Sequence, residues 1–459
     1  MFAQGIPDAV RLAEPTMGIG ARAIGMGSAF MPVADDYSAI FWNPAGLGQL
    51  KFYEVSGGLA YNNYDNSASF FGNTQAGSAS SYPLTQLGVV MPARVGTMGF
   101  TFALGFNTTA NYTTTTQFSG YNPNSSLVNY ETTDPTGFLT VLPFNTGVAG
   151  YNSSGVATTP IKGDLQQVGN LQESGMMHTF SAGFGAELSP NLFAGATLNF
   201  YSGTYNYNRT YTETDVNGLN KNAAVDTTNW TSMNMYQYYE QDQYSQDIGG
   251  FGAIIGFLYA IPNTASIGVT ITTPTVFSVT ESDNYAAQAS FWDNTVSPFA
   301  YQQGGSSFDV TTPFIFSLGA AVHPIPQLTI SADADFIDYT QLQFSNAPSY
   351  LTDLNQTIQD SLHAVVNLRG GAELKLPFGM GIRAGVAYLP SPYTNDPSNY
   401  NQLLLTGGLS FIVAKQGAID VAFVSGNFHT FQSNYDSTSQ TASSINTTQV
   451  LVNFSYRFF

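Results

Sequence analysis

Apolar and polar residues alternate along most of this chain. Between Gly99 and Asn107, Phe100, Phe102, Leu104 and Phe106 share one parity, while Thr101, Ala103, Gly105 and Asn107 share the other. Leu192, Ala194, Ala196, Leu198 and Phe200 alternate in the same way with Phe193, Gly195, Thr197, Asn199 and Tyr201. A period of two puts one set on each face of an extended strand. The pattern predicts strands over residues 52–62, 84–92, 96–110, 175–188, 191–206, 247–261, 263–281, 308–323, 326–345, 361–376, 379–390, 402–414, 416–431 and 446–458. They number about fourteen, with ends placed to within about 2–4 residues.

The connections alternate in length. Short turns fall at Ala93-Arg94-Val95, Ser189-Pro190, Pro262, Pro324, Pro377-Phe378 and Lys415-Gln416. The others, around 63–83, 111–174, 207–246, 282–307, 346–360, 391–401 and 432–445, are long and rich in Asn, Ser, Thr, Asp and Tyr. Short turns on one rim and long loops on the other are the pattern of an outer-membrane barrel, which a soluble sandwich has no reason to adopt. An even strand number returns both chain ends to the short-turn rim. Eight strands leave an interior that side chains fill and sixteen leave an aqueous channel, so about fourteen call for a plug. The fold class expected is therefore all-β: a transmembrane antiparallel β-barrel of about fourteen strands, plugged from its N-terminal end.

Composition narrows the alternatives. Only 9% of the 459 residues are charged and 14% are aromatic, against about a quarter charged in soluble proteins. The longest apolar runs, such as Phe251 to Ile261, fall short of the roughly 18 residues that a membrane helix needs. A net charge of -18 excludes nucleic acid as a partner, because phosphates require a basic surface. Without cysteine, disulfides and thiolate metal sites are excluded. No charged and apolar export signal precedes Gln4, and Met1-Phe2-Ala3 reads as a start fused near a cleavage site.

Residues Gly18 to Leu47 break the alternation with a segment dense in Gly, Ala and Ser. Asp35 suits the N-cap of a short helix over Asp36 to Phe41, which has to end before Pro44. Asn43-Pro44-Ala45-Gly46-Leu47 then forms a turn into the first strand. An ordinary helical cap on a β domain would also fit these residues. A small-residue segment ending in Trp-Asn-Pro-Ala-Gly-Leu before a β-rich body resembles the N-terminal hatch of the FadL/TodX family, outer-membrane transporters of long-chain fatty acids and other hydrophobic compounds. The likeness extends to Gly249–Val279, Thr311–Gly319, Leu328–Leu342 and Ile382–Tyr388. It departs from the family at Thr272-Thr273-Pro274, where an Arg-Ser-Pro is usual, and residues 111–246 match only in general character. The chain end, Gln449 to Phe459, presents Val450, Val452, Phe454, Tyr456 and Phe458 on one face. It resembles the aromatic-terminated last strand of outer-membrane proteins, with one extra Phe beyond the phase.

The resemblance implies a hatch over residues 1–50 and a barrel over 51–459. It implies passive uptake of hydrophobic small molecules, fatty-acid-like or neutral hydrocarbons, across the outer membrane of a Gram-negative bacterium. The partners implied are that ligand and outer-membrane lipids, without a cofactor, a metal or a catalytic residue. The gate would be Asn43, Pro44, Ala45, Gly46 and Leu47, moving readily because the segment has few bulky anchors. Gly99 and Gly105 mark a place on the third strand where the backbone would bend inward to open a sideways exit. A second likeness, to PorV-type components of protein secretion, implies instead a docking protein with a protein partner at its loops or rim.

Parity places Asp333, Asp335, Arg369, Glu373, Lys375, Arg383, Asp420 and Arg457 on the inner face. An outward charge would cost roughly 2–4 kcal/mol at the bilayer midplane. Arg369 and Arg383 then either orient a polar ligand head or pair with Asp333, Asp335 or the hatch to pin the plug; the pairing is preferred. In the longest loop, Phe138, Leu139, Leu142 and Phe144 lie in an unexpectedly apolar stretch, either a capture groove or the small core that folds the loop. His178, His323, His363 and His429 are spread too widely to form one site. Glu240 with Asp242 and Glu281 with Asp283 are acidic pairs at loop edges, either weak cation binders or, as preferred, simply solvated.

Overall fold

The computed structural model describes residues 5–95, 98–221, 234–413 and 416–458. The readings at Met1-Phe2-Ala3, Gln4, Lys415 and Phe459 lie outside the described residues, as does part of the connection 207–246.

Fourteen antiparallel strands close on themselves. They are β1 (Tyr53–Phe70), β2 (Asn73–Ser81 and Leu84–Val95), β3 (Met98–Asn111 and Thr114–Asn122), β4 (Leu165–Ser189), β5 (Leu192–Thr214), β6 (Met235–Ile261) and β7 (Ala265–Thr272 and Val276–Phe291). The second half comprises β8 (Ala300–Thr311 and Ile315–Ile325), β9 (Leu328–Asp338 and Gln343–Ser345), β10 (Ala364–Leu376), β11 (Met380–Leu389), β12 (Gln402–Val413), β13 (Gly417–Ser433) and β14 (Gln440–Phe458). The seam joins β1 to β14 from Tyr53 opposite Phe458 to Ser69 opposite Ala442. Each strand expected from the alternation has one counterpart here.

The expected upper ends fall short, however. The span 63–83 is mostly a long hairpin turning at Phe71 and Gly72, both at positive φ (44° and 82°). β4 and β6 run to 25 and 27 residues, against the roughly 9–11 that cross a membrane. Beyond the bilayer both faces of a strand meet polar surroundings. The alternation fades there while the hydrogen-bonded ladder continues, and sequence read those stretches as loops.

The outer face is apolar: Leu59, Leu104, Phe180, Leu318, Leu405 and Phe454 are 50–60% exposed. Such a belt is stable only against lipid, and it identifies the barrel as membrane-spanning.

The N-terminal segment fills the lumen with helices α1 (Ile6–Ala13), α2 (Ala21–Gly25) and α3 (Ala39–Trp42), followed by a 3-10 turn, Pro44–Gln49. The helix expected over Asp36 to Phe41 begins later, at Ala39, and Asp36 rather than Asp35 serves its entry. Asp36 Oδ1 accepts bonds from Ser38 N at 2.8 Å and Ser38 Oγ at 2.6 Å. Asp35 is drawn instead to Arg22. Bulky anchors are present: Met26, Phe30, Tyr37, Ile40 and Leu47 form one buried cluster. Gly105 lies in the ladder, paired with Gly88 and Ser181. A Cβ at Gly105 or Gly88 would overlap the Tyr37 ring, so both glycines make room for a hatch side chain.

Candidate functional site

Above the hatch the lumen holds a cavity of about 200 Å³. Phe41 and Trp42 line it from the hatch, Met177, Ile254, Phe277 and Ile337 from the wall, and Ala13 to Thr16 from the segment after α1. The spacing of Ile6, Ala9, Val10 and Ala13 gives α1 an apolar face. That face packs against a cluster containing Phe277, Val279, Phe308 and Val310, so the first helix occupies the upper lumen. Sequence reasoning missed this helix, although the three-and-four spacing behind Pro7 signals it.

Both cations of the chamber are already engaged. Arg11 meets Asp8 and Gln246 Oε1 at 2.6 and 2.7 Å and lies 3.5 Å from the centre of the Tyr205 ring. Arg369 pairs with Asp335 and reaches within 5.9 Å of the Trp42 ring. Asp333 Oδ2 accepts the Met31 amide at 2.9 Å, and its Oδ1 has no partner in the protein.

Arg383 is elsewhere, below the hatch, in a second and polar cavity of about 540 Å³. There Arg22 donates to both oxygens of Glu373 at 2.9 and 2.8 Å, and Arg383 donates to Glu373 at 2.8 Å and to Asp420 at 2.7 Å. Arg457 donates to Glu54 at 2.8 Å, while the other Glu54 oxygen accepts from the Tyr37 amide at 3.1 Å. The structure thus pairs both expected arginines with wall carboxylates, and Asp333 and Glu373 tie the plug. Arg22, the cation that bridges hatch and wall, was not singled out from sequence because it stands alone among small residues.

Asn43 is fully buried; its Oδ1 accepts from Ala45 N at 3.1 Å and its Nδ2 donates to Phe257 O at 3.2 Å. A Cβ at Gly195 would strike Pro44 and Ala45, and one at Gly185 would strike Pro44, Leu47 and Gly48. Only glycine lets the hatch backbone seat this closely against the wall.

The ladder lapses beside the chamber in three neighbouring strands. β7 is interrupted at Thr273-Pro274-Thr275, β8 at Thr312-Pro313-Phe314, and β9 by the 3-10 turn Tyr339–Gln341. Side-chain oxygens take over the amides: Thr273 Oγ1 accepts from Ala253 at 3.0 Å, Thr312 Oγ1 from Thr275 at 2.9 Å, and Gln341 Oε1 from Phe314 at 3.2 Å. Thr272, Thr275, Thr312, Pro313 and Ile315 face the chamber, and Val276, Phe314 and Phe316 face outward.

In the outer cap, α4 (Leu127–Thr132) and α5 (Val141–Asn145) lie over the barrel mouth. Leu139 and Leu142 are buried with Leu127, Val128, Val148 and Ile161. These two leucines therefore belong to the core that folds the loop, while Phe138 and Phe144 remain half-buried. The acidic pairs are not solvated. Glu240 and Glu281 are 1% and 3% exposed, and Arg209 pairs with Glu240 and Asp242. Tyr238 donates to Glu131 at 2.9 Å and to Glu240 at 3.3 Å. Burial pushes the Glu131 carboxyl up to about 7, and burial beside Glu131 and Asp242 drives Glu240 well above the usual carboxylate range.

No family model and no curated protein matches the sequence. Solved structures do. A Pseudomonas aeruginosa FadL homologue aligns over 97% of this chain and 99% of its own, with a TM-score of 0.60 and 12% identity. The Pseudomonas putida toluene transporter TodX aligns over 96% and 99%, with a TM-score of 0.57 and 15% identity. The Ralstonia pickettii toluene transporter TbuX covers the same shares, with a TM-score of 0.53 and 16% identity. At such identities what is shared is architecture: the chain has the fold of these FadL- and TodX-type barrels.

Proposed function

We propose that the chain is a transporter in the outer membrane of a Gram-negative bacterium that admits hydrophobic small molecules passively. The observation that carries this reading is the chamber inside the plugged barrel, where Phe41, Trp42, Met177, Ile254, Phe277 and Ile337 present apolar and aromatic surface among polar side chains. Barrels of the same fold are described as toluene transporters and a monoaromatic hydrocarbon channel. A docking protein needs no internal chamber, which favours transport over the PorV-like reading.

A molecule meeting the cap would touch Phe138 and Phe144 and then settle on Phe41 and Trp42. The gate expected at Asn43 to Leu47 sits tightly against a glycine-lined wall, with Asn43 hydrogen-bonded to Ala45 N and Phe257 O, a poor path for a solute. Passage sideways, where Thr273–Thr275 and Thr312–Phe314 interrupt the ladder, demands less: the backbone bonds Thr273 N to Ala253 O at 2.9 Å and Thr312 N to Thr275 O at 3.0 Å, together with side-chain bonds, stand in for a regular ladder there. Uptake of labelled p-xylene by cells with and without the barrel tests the proposal. Ile254→Trp, which fills the chamber, is expected to lower uptake about ten-fold, a barrier change of ~1.4 kcal/mol. Undiminished uptake by a correctly folded variant would overturn it.

A further inference from the structure

We propose that the chamber selects amphiphiles with a hydrogen-bond-donating head, an amine or a hydroxyl, over those with a carboxylate. The inference rests on the uptake reading and adds the chemistry of the ligand head.

The groups facing the chamber are unequally free. Arg11 is held by Asp8, Gln246 and the Tyr205 ring, and Arg369 by Asp335. The charged groups that remain are carboxylates. Glu14, just after α1, is exposed to the cavity deep inside the lumen. Among the described residues its carboxylate makes no hydrogen bond or ion pair; Arg11, Tyr339 and Tyr393 are the charged or titratable groups in electrostatic reach. Asp333 also lines the chamber, with Oδ2 held by the Met31 amide at 2.9 Å and Oδ1 buried. Counted with Asp335, three carboxylates face two arginines. A carboxylate ligand would find no open cation and a like charge nearby. An ammonium or hydroxyl would give Glu14 the donor it lacks, in surroundings where a charge-assisted bond is strong.

The size of the chamber fits the same conclusion. Apolar cavities of about 150 Å³ take up benzene, and about 200 Å³ here admits one ring with a short polar arm. The ring would lie against Phe41, Trp42 and Phe277, with its head toward Glu14.

Four molecules of one ring size test this: 4-methylbenzylamine, 4-methylbenzyl alcohol, 4-methylbenzoate and p-xylene. Their affinities are measured by equilibrium dialysis against the detergent-solubilised barrel, with Ile254→Trp as the blocked reference. The amine and alcohol are expected to bind at least about ten-fold tighter than the benzoate, one charge-assisted hydrogen bond's worth. In Glu14→Gln that preference should fall below about three-fold with p-xylene unchanged, and Glu14→Asp should restore it. Equal binding of all four, or a preference that survives Glu14→Gln, would overturn the inference and leave the uptake reading standing. Failure of p-xylene to bind above the blocked reference would count against the uptake reading itself.

Discussion

Arg22 of the hatch grips Glu373 of β10 through two hydrogen bonds of 2.9 and 2.8 Å between residues 351 apart in sequence. Glu373 also accepts from Arg383, so one buried carboxylate joins plug to wall. Removing one partner of a buried pair costs about 3–5 kcal/mol, because the other charge stays buried. Arg22→Ala should therefore lower the melting temperature and let small polar solutes leak through proteoliposomes that the parent barrel keeps tight. A sealed Arg22→Ala barrel would show that close packing alone holds the plug.

The fit of Tyr37 over Gly105 makes a sharper test of that packing. Gly105→Val should destabilise the barrel by roughly 1–3 kcal/mol through overpacking, and Tyr37→Ala by about 3–5 kcal/mol through the cavity it leaves. In the double variant the valine enters the space the ring vacated. The combined loss measured by denaturant unfolding should be smaller than the sum, and simple additivity would refute the contact.

A disulfide across the wall break addresses the route. Thr275→Cys with Thr312→Cys links β7 to β8 where the Thr275 amide meets the Thr312 hydroxyl. Oxidation should cut p-xylene uptake about ten-fold, and reduction should return it; a barrel equally active in both states passes its cargo elsewhere. This expectation concerns rate, where ten-fold corresponds to ~1.4 kcal/mol.

The cap should respond to pH. Glu131 is raised from 4.5 to about 7 in the folded cap by burial, so between these values the folded form holds a proton that the unfolded form has lost. Stability from this group is complete below about pH 4.5 and declines as the pH rises through about 7, with the sign given by proton linkage. Glu240 shifts in the same direction. Limited proteolysis of loop 123–164 should accelerate between pH 5 and pH 8 in the parent, and much less in Glu131→Gln.

The wall was legible from sequence wherever one face meets lipid, because lipid enforces a strict alternation; Leu328 to Phe336 assigned Asp333 and Asp335 to the lumen correctly. Above the bilayer that constraint ends, and residues 63–81 looked like loop although they pair without a break. Site residues were less legible. Parity gave a direction for Arg369 and Arg383 but not a height, and height separates the chamber from the polar cavity below. Glu14 and Arg22 carry no periodic signal at all. The paired Thr-Thr-Pro triplets were visible, yet their alignment across two strands depends on register. The acidic pairs were misjudged because the extra strand length that buries them was not foreseen.

The seam between Tyr53 and Phe458 has a consequence for assembly. The plug directly precedes β1, which carries its carboxylate Glu54, whereas Asp333 and Glu373 lie on β9 and β10, and Arg457, which holds Glu54, lies on β14. The plug's full set of partners is therefore absent until the last strands are made, and a closed wall offers no easy way to thread it in. The barrel should curl around its own N-terminal segment, with the seam closing last, so that insertion into the membrane and sealing of the pore are one event.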